Sequence, residues 1–354
     1  MKRLAVMLVM VCFLLCGCSL MDGEHLSVTP HELPVSGNQS TVLSVSDYKG
    51  LKEVLESMVQ AGTESMVINV AKYNRQLLDN GVKTAVKHLE ENYPLGSWAV
   101  EKVEYEIGTG GGQPVVSVNI SYIHGRSQIR QIQKIEGMEE LEARVEDALE
   151  ECTDSLVLLV DQYERKDLIQ LVEDYAGDHP NLVMEIPEMA VGIYPNSEPG
   201  TRVVELRFTY QTSREALRQM QNQVKRVFAS AELYINSDSN VSQKYSQLYS
   251  FVMERYDYSL GTSITPAYSL LIHGVGDSEA FASVYAAMCR QAGLECQVIS
   301  GTKNGEAYYW NLIRVDNKLL HVDLLEASSQ DGFVCYESEQ MEGYVWDYSA
   351  YAES

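Results

Sequence analysis

Residues 274–323 constrain the fold more than any other stretch of the chain, because they predict one helix and three strands joined by short connections. After a glycine turn, apolar side chains at spacings of three and four predict an amphipathic helix that opens at Ser278 and ends at Gly293. Three alternating apolar segments follow, and the last ends at Asp323. One helix packed against neighbouring strands is typical of an α+β domain.

This stretch resembles the core of the transglutaminase-like superfamily, whose papain-like sites place a Cys at a helix start, a His on the next strand and an Asp on the strand after it. Ser278 takes the Cys position, followed by Glu-Ala-Phe-Ala as the family pattern requires. Tyr308 takes the His position in Tyr-Tyr-Trp-Asn, and Asp323 ends a Val-Asp strand. The resemblance implies a C-terminal domain over residues 229–354 and a candidate groove formed by Trp310, Asn311 and His321.

The residues at these positions argue against the chemistry of the family. A thiolate at a helix start is stabilised by the helix dipole and by a nearby imidazole, which an Asp orients. The phenol of Tyr308 has an ordinary pKa of about 10 and cannot accept the proton of Ser278 at neutral pH. A rearranged site of Ser278, His321 and Asp323 stays open as the alternative, since His321 lies two residues before Asp323.

The first 18 residues predict a bacterial lipoprotein signal peptide. Lys2 and Arg3 precede an apolar segment that is too short to span a membrane, and the segment ends in Leu-Cys-Gly-Cys at Cys18. This ending resembles a lipobox, which implies cleavage before Cys18, lipidation there by groups such as palmitate, and attachment to the outer face of the cytoplasmic membrane. Residues 19–45 are rich in Pro, Gly and Ser and predict a flexible tether.

Residues 46–136 and 137–228 predict two tandem α+β repeats of about ninety residues. Thr63-Glu64-Ser65 matches Thr153-Asp154-Ser155 at an offset of 90, and the segment at 115–122 matches that at 203–210 at an offset of 88. In each copy the periodicity predicts a helix, a strand, a second helix and two strands joined by a turn. The predicted fold class is therefore α+β, with two repeats followed by a transglutaminase-like, papain-type domain.

Net charge and cysteine spacing indicate which binding partners, metal sites and disulfides to expect. Fifty acidic and 27 basic side chains give a net charge of −23, which disfavours nucleic acid and anionic membrane surfaces. The mature chain keeps Cys152, Cys289, Cys296 and Cys335, whose spacings match neither a metal site nor a disulfide framework. We expect no metal and no other cofactor, and the disulfide state of Cys289 and Cys296 stays open.

The sequence thus predicts a surface-anchored, non-catalytic transglutaminase-like protein, a pseudoenzyme that binds a peptide or a cell-surface polymer. Its expected partners are the membrane, through the lipid anchor, and a peptide or cell-wall ligand. The alternative is an active cysteine- or serine-type peptidase or amide-transfer enzyme with a rearranged site. A third interpretation assigns function to the repeats and leaves the C-terminal domain as a scaffold.

Overall fold

Two α+β units with the same strand order precede a third sheet that carries the predicted site. The computed structural model describes residues 43–196, 200–260, 265–328 and 332–351, and everything below refers to these. The predicted signal peptide, Cys18 and residues 19–42 of the tether lie outside the described residues. Among the helices that are described, none combines the length and the apolar character needed to cross a bilayer.

The first unit forms a three-stranded sheet in the order β1-β3-β2, with antiparallel pairs. Its elements are α1 (Tyr48–Ala61), β1 (Ser65–Asn69), α2 (Arg75–Glu91), α3 (Pro94–Ala99), β2 (Val100–Gly110), β3 (Gln113–Tyr122) and α4 (Arg126–Gln131). Asp47 caps α1 by accepting from the amide of Gly50, and Gly111 and Gly112 take positive φ angles in the turn between β2 and β3. This turn is the hairpin that the sequence predicts.

The fold begins slightly earlier than expected. Residues 43–45, the last of the predicted tether, lie beside β1: Ser44 bridges Asn69 in parallel, and the amide of Val45 donates to the carbonyl of Asn69 at 2.9 Å. Val45 is 6% exposed. The tether prediction is wrong for these residues because Val45 is apolar and reaches the core below α1.

The second unit repeats this arrangement with one added strand, in the order β4-β5-β7-β6. Its elements are β4 (Gln133–Glu136), α5 (Gly137–Glu150), β5 (Ser155–Tyr163), α6 (Leu168–Asp178), β6 (Glu188–Tyr194) and β7 (Gly200–Thr209). β4 pairs with β5 in parallel and the other pairs are antiparallel. Residues 133–136 therefore belong to the second sheet rather than to the first repeat, where the sequence placed them.

The two sheets differ in what covers their outer faces. In the second sheet, α3 of the first unit packs on β6 and β7. Val203 accordingly belongs to the core of the first unit, while its neighbour Val204 belongs to the core of the second. In the first sheet the corresponding face is polar and exposed, with Ser117 paired with Val67 across β3 and β1. β7 is thus buried on both faces, which brings its polar residues into the contact between the units.

The C-terminal domain has a four-stranded antiparallel sheet in the order β12-β11-β10-β13. Its elements and the helix that leads into it are α7 (Arg214–Tyr234), α8 (Val241–Met253), β8 (Asp257–Tyr258), α9 (Pro266–Tyr268), a π-helical turn (Ser269–His273), β9 (Val275–Gly276), α10 (Ser278–Gln291), β10 (Cys296–Lys303), β11 (Glu306–Val315), β12 (Lys318–Val322), α11 (Leu324–Ser328), a 3₁₀ turn (Ser338–Gln340) and β13 (Tyr344–Trp346). α10 packs on β10 and β11, and its side chains Phe281 and Tyr285 are buried in a core shared with α7 and α8.

The predicted boundary between residues 228 and 229 falls inside α7. One buried stripe continues along this helix through Val224, Phe228 and Ala231, and all three contribute to the core of the C-terminal domain. A domain boundary inside a helix was not visible from sequence, because the apolar stripe of the helix does not report which core it enters. The molecule is a mixed α+β protein in which α7 joins the second unit to the C-terminal domain.

Candidate functional site

The serine at the nucleophile position is held by the helix that it opens. Asp277 caps α10 by accepting from the amide of Ala280 at 3.0 Å, and Ser278 is the first helical residue. The hydroxyl of Ser278 accepts a hydrogen bond from the backbone amide of Tyr309 at 3.3 Å. Within the described residues, Ser278 has no hydrogen bond to a histidine or any other base. Its hydroxyl therefore joins the start of α10 to β11, with nothing to remove its proton.

The side chains at the positions that the resemblance assigns to the His and the Asp of the triad are hydrogen-bonded to each other. The phenol of Tyr308 donates to Oδ1 of Asp323 at 3.1 Å, as an imidazole at that position would. Burial, with the negative charge of Asp323, raises the pKa of Tyr308 well above its ordinary value. Tyr308 is consequently a neutral donor at physiological pH. The hydrogen bond expected between these two positions is present, but its donor is a phenol, which is not a base at neutral pH.

Asp323 is the centre of a closed hydrogen-bond network and is only 1% exposed. Oδ2 accepts from the Lys303 ammonium at 2.8 Å and from the Tyr344 hydroxyl at 2.6 Å. Oδ1 accepts from Tyr308 and also from the amides of Leu325 and Glu326 at the start of α11, at 3.0 and 3.2 Å. Five donors satisfy both oxygens of this carboxylate. We call Asp323, Lys303, Tyr308, Tyr344 and Glu326 the Asp323 network.

Lys303 carries the positive charge of the network. Its ammonium contacts Glu326 at 3.0 Å as well as Asp323, and it lies 4.8 Å from the ring centroid of Tyr308 and 5.0 Å from that of Tyr344. Burial acts to lower the pKa of Lys303, but hydrogen bonds and charge from Asp323, with the hydrogen bond to Glu326, outweigh it and raise that pKa. Tyr308 and Lys303 together reproduce the hydrogen bond and the charge of an imidazolium, but neither can act as a base at neutral pH.

Sequence reasoning missed both Lys303 and Tyr344. The signal for Lys303 was available from the register of the β10–β11 hairpin, because Gly301 lies opposite Tyr308 and Lys303 lies two residues beyond Gly301 on the same face. Tyr344 follows Asp323 by 21 residues and reaches it through a tertiary contact. No local pattern reports such a contact.

His321 does not take part in a rearranged site. Its Nδ1 accepts from the indole N–H of Trp310 at 3.0 Å, and its Nε2 lies 3.1 Å from the hydroxyl of Ser338. The side chain is 2% exposed, and burial lowers its pKa to about 4. Both ring nitrogens are therefore occupied by structural partners. The alternative site of Ser278, His321 and Asp323 is not formed in this structure.

The predicted groove residues are also buried, which corrects the expectation that they line an open surface. Trp310 is 1% exposed and Asn311 is fully buried. Trp310 is covered by Tyr344 and Trp346 of the C-terminal segment, with ring centroids at 5.2 and 5.6 Å. Asn311 points to the other face of the sheet and donates to the carbonyl of Ala282 at 2.9 Å. The three predicted groove residues therefore belong to the packed interior of the C-terminal domain.

A cavity of about 310 Å³ opens beside the Asp323 network instead. Its walls combine charged side chains with aromatic and apolar ones: Lys303, Glu326, Tyr336, Met341, Glu342 and Tyr344. Glu326 is half exposed at its side chain, so the charged rim is accessible. The volume is at the lower end of ordinary ligand pockets. This cavity, rather than the buried strand residues, is an open space beside the Asp323 network.

Cys289, the cysteine on α10, is not placed to replace the missing thiol. Cys289 is fully buried, and burial, with a hydrogen bond to Cys296, raises its pKa well above the ordinary value. Cys152, Cys289, Cys296 and Cys335 are all free thiols in this structure. In the described residues, no group of three or more His, Cys, Asp or Glu side chains is arranged to hold a metal ion.

Comparison with known proteins assigns the class of the C-terminal domain. Residues 229–353 match the sequence profile of the transglutaminase-like superfamily. This domain, with Ser278 opening its helix and Tyr308 bound to Asp323 on its strands, is transglutaminase-like. No curated protein matches the chain.

Solved structures show only distant similarity. One described as a TGase has a TM-score of 0.27 and 11% identity over 48% of this chain and 51% of its own. A proposed cysteine protease from Cytophaga hutchinsonii has a TM-score of 0.25 and 16% identity over 45% of this chain and 70% of its own. A proposed protease from Parabacteroides distasonis has a TM-score of 0.23 and 11% identity, over 73% of this chain and 39% of its own. The chain thus spans about half the length of the first of these structures.

Proposed function

We propose that this chain is a surface-anchored, non-catalytic transglutaminase-like protein whose C-terminal domain binds a peptide or a cell-surface polymer. The observation that carries the proposal is the Asp323 network. Its carboxylate is satisfied by five donors, and Tyr308, which occupies the histidine position, only donates. A hydroxyl nucleophile needs a base within hydrogen-bond reach, and Ser278 contacts only a backbone amide.

The cavity beside the network supports the binding role. It presents the ammonium of Lys303, the carboxylates of Glu326 and Glu342, and the aromatic side chains Tyr336 and Tyr344. Such a combination suits a ligand with amide or hydroxyl groups, because donors, acceptors and apolar surface lie within one pocket. A polymer that extends beyond the cavity would continue across its open rim.

The proposal also covers the N-terminal part of the chain. Cleavage and lipidation at Cys18 would hold the protein at the outer face of a bacterial cytoplasmic membrane, with the tether and two duplicated α+β units before the C-terminal domain. Duplication is supported by the shared order of elements and by the matching strand orders β1-β3-β2 and β5-β7-β6. The bridge between Ser44 and Asn69 matches the parallel pairing of β4 with β5.

The catalytic part of the proposal is tested on purified protein from residue 19 onward. We expect no hydrolysis of peptide or glutamine amides and no transfer to primary amines, in assays where a transglutaminase and a cysteine protease serve as positive controls. Measurable turnover that Ser278→Ala abolishes would contradict the proposal. Turnover that survives both Ser278→Ala and repurification would also contradict the proposal, because it would point to a different nucleophile in this chain.

The binding part is tested by co-sedimentation with purified bacterial cell-wall sacculi and by titration with sacculus digests. Binding that Glu342→Ala weakens would place the ligand at the cavity beside the Asp323 network, and Glu306→Ala, an exposed carboxylate on β11 outside the lining of this cavity, is the matched control. Binding lost only when residues 46–228 are deleted would instead assign the function to the repeats.

The anchor is tested in cells by metabolic labelling with palmitate. We expect label in the membrane fraction of the wild type and none in Cys18→Ala. Label that persists in Cys18→Ala would reject Cys18 as the lipidated residue.

A further inference from the structure

A second cavity, of about 470 Å³, lies where the first unit meets the second. The first unit contributes Trp98 from α3, His124, and the amide side chains of Gln128 and Gln131 from α4. The second unit contributes residues from β7 and from the start of β5. We call this space the inter-unit cleft. Its volume is ordinary for a small-molecule site.

The cleft contains a carboxylate that is nine-tenths buried. Glu205 is 7% exposed, and its Oε2 accepts from the indole N–H of Trp98 at 3.2 Å. Its Oε1 accepts two N–H bonds from Arg207, at 3.1 and 2.9 Å. The guanidinium of Arg207 remains 63% exposed at the cleft. Burying a charge is costly even when it is paired, so an isolated structural contact would be served as well by neutral side chains.

The first unit shows that the fold itself does not need these charges. In the pairing of β1 with β3, Ser117 lies opposite Val67, and in the pairing of β5 with β7, Glu205 lies opposite Val157. Two residues further on, the first sheet has Asn119 where the second has Arg207. The same strand order is therefore built with small neutral residues in one unit and, in the other, with an ion pair between the buried carboxylate of Glu205 and the exposed side chain of Arg207. The ion pair belongs to the cleft rather than to the sheet.

The lining indicates the chemistry of a ligand. The half-buried ring of His124 stacks on the buried indole of Trp98, with centroids 4.0 Å apart and an interplanar angle of 8°, so His124 presents most of the aromatic surface at the cleft. Around it lie amide, hydroxyl and carboxylate groups of Gln131, Ser155 and Asp154. Vicinal hydroxyl groups can both donate and accept, so they match such a mixed rim, and the C–H face of a sugar ring packs against aromatic rings.

The charges of the lining disfavour anionic ligands. Asp154 and Glu205 outnumber Arg207 in the lining, and burial lowers the pKa of His124, which keeps this ring neutral at physiological pH. The resulting negative potential disfavours phosphates and other anions.

We propose that the inter-unit cleft binds a neutral saccharide unit, with Glu205, Arg207 and Gln131 as hydrogen-bonding groups and the Trp98–His124 stack as the aromatic wall. The site is separate from the Asp323 network. The saccharide proposal does not depend on the proposed role of the C-terminal domain.

The experiment titrates the whole mature chain with tetrasaccharides of glucose and of N-acetylglucosamine, followed by calorimetry and by tryptophan fluorescence. Of the three tryptophans in the chain, only Trp98 lies in the cleft. We expect saturable binding with a dissociation constant of about 1 mM or below, and a fluorescence change that disappears in Trp98→Phe. Glucose 6-phosphate, an anionic probe, is expected to bind more weakly than glucose.

Glu205→Gln is expected to weaken saccharide binding at least about tenfold, because it removes a charged hydrogen-bonding group. Glu188→Gln is the matched control, since Glu188 is exposed on the neighbouring strand β6 and outside the cleft. Circular dichroism checks folding. If Glu205→Gln fails to fold, Gln131→Ala replaces it, because Gln131 is exposed at the rim.

Two results would overturn the proposal. One is the absence of saturation with every saccharide up to about 10 mM, a concentration that detects even weak sites. The other is wild-type affinity in both Glu205→Gln and Gln131→Ala. Neither result would bear on catalysis by the C-terminal domain, which is measured by amide turnover.

Discussion

Asp323 and Glu205 are both buried carboxylates, but their surroundings differ. Asp323 accepts from five groups of the same domain, and its cation Lys303 has a side chain only 20% exposed. Among the residues that the structure describes, Glu205 accepts from Trp98 and Arg207 only, and it faces a cleft between two units. A carboxylate with every lone pair satisfied is part of the structure, whereas one that is held rigidly beside an open cavity still has acceptor capacity for a ligand.

The same contrast applies to the positions that the sequence resemblance assigns to a catalytic triad. At the family's triad positions, the chain has not left an empty pocket around Asp323. Tyr308, Tyr344 and Lys303 fill it, which neutralises the buried charge without supplying a base. We therefore expect Asp323 to matter for stability and Glu205 for binding, and the following variants test this contrast in order of expected effect.

Asp323→Ala is expected to destabilise the C-terminal domain by about 3–5 kcal/mol, because it leaves two tyrosine hydroxyls without their acceptor and the largely buried Lys303 ammonium with Glu326 as its remaining partner. Urea unfolding followed by the fluorescence of Trp310 and Trp346 measures the loss. Glu306→Ala, an exposed carboxylate on β11, is the control and should change stability by less than about 0.5 kcal/mol. A loss for Asp323→Ala as small as the control's would show that the network is not structural.

His321 should make the domain sensitive to acid. Its pKa is lowered to about 4 by burial, so protons bind preferentially to the unfolded chain below the ordinary pKa of about 6.5. Stability is unaffected by this group above that pH and falls as the pH drops towards 4, by about 3 kcal/mol in total. Unfolding free energies at pH 7.5 and 4.5 should therefore differ more in the wild type than in His321→Gln.

His273→Gln, which removes an exposed histidine, controls for the substitution itself. A wild-type pH dependence equal to that of His321→Gln would mean that burial does not lower the pKa of this ring.

Glu205→Gln is expected to cost only about 1 kcal/mol, because the amide oxygen can still accept from Trp98 or Arg207 and the lost charge leaves Arg207 in contact with solvent. Thermal unfolding with no saccharide present measures this. A loss of about 3 kcal/mol or more would remove the contrast with Asp323 and would show that Glu205 serves mainly to join the two units.

Local patterns predicted the elements of the site well. The spacing of apolar side chains places α10, and the alternation in β11 and β12 correctly brings Tyr308 and Asp323 to one region of the sheet. Sequence could not show what covers that sheet, since alternation separates two faces without identifying their neighbours. For that reason Trp310 and His321 were expected to line a groove, whereas the C-terminal segment buries them.

The inter-unit cleft was missed for a related reason. Similarity between residues 46–136 and 137–228 predicts a shared order of elements from the positions that match, whereas the polar lining of the cleft includes positions that differ, Glu205 against Ser117 and Arg207 against Asn119. A charged residue at an inward position of a strand that is otherwise apolar was the available signal. Its partner Trp98 lies 107 residues away, beyond the reach of any local pattern.

The smallest effect is expected for Ser278→Ala, within about 0.5 kcal/mol of the wild type, because the hydroxyl accepts only one hydrogen bond, at 3.3 Å, and helix capping is provided by Asp277. Asp277→Ala, one residue earlier, should cost about 1 kcal/mol through loss of the cap. If Ser278→Ala were instead stabilising by about 1 kcal/mol or more, the serine would be a strained residue of the kind kept at functional sites. Ser278 would then differ from the Asp323 network, whose members stabilise the fold, and the result would support a catalytic role for Ser278.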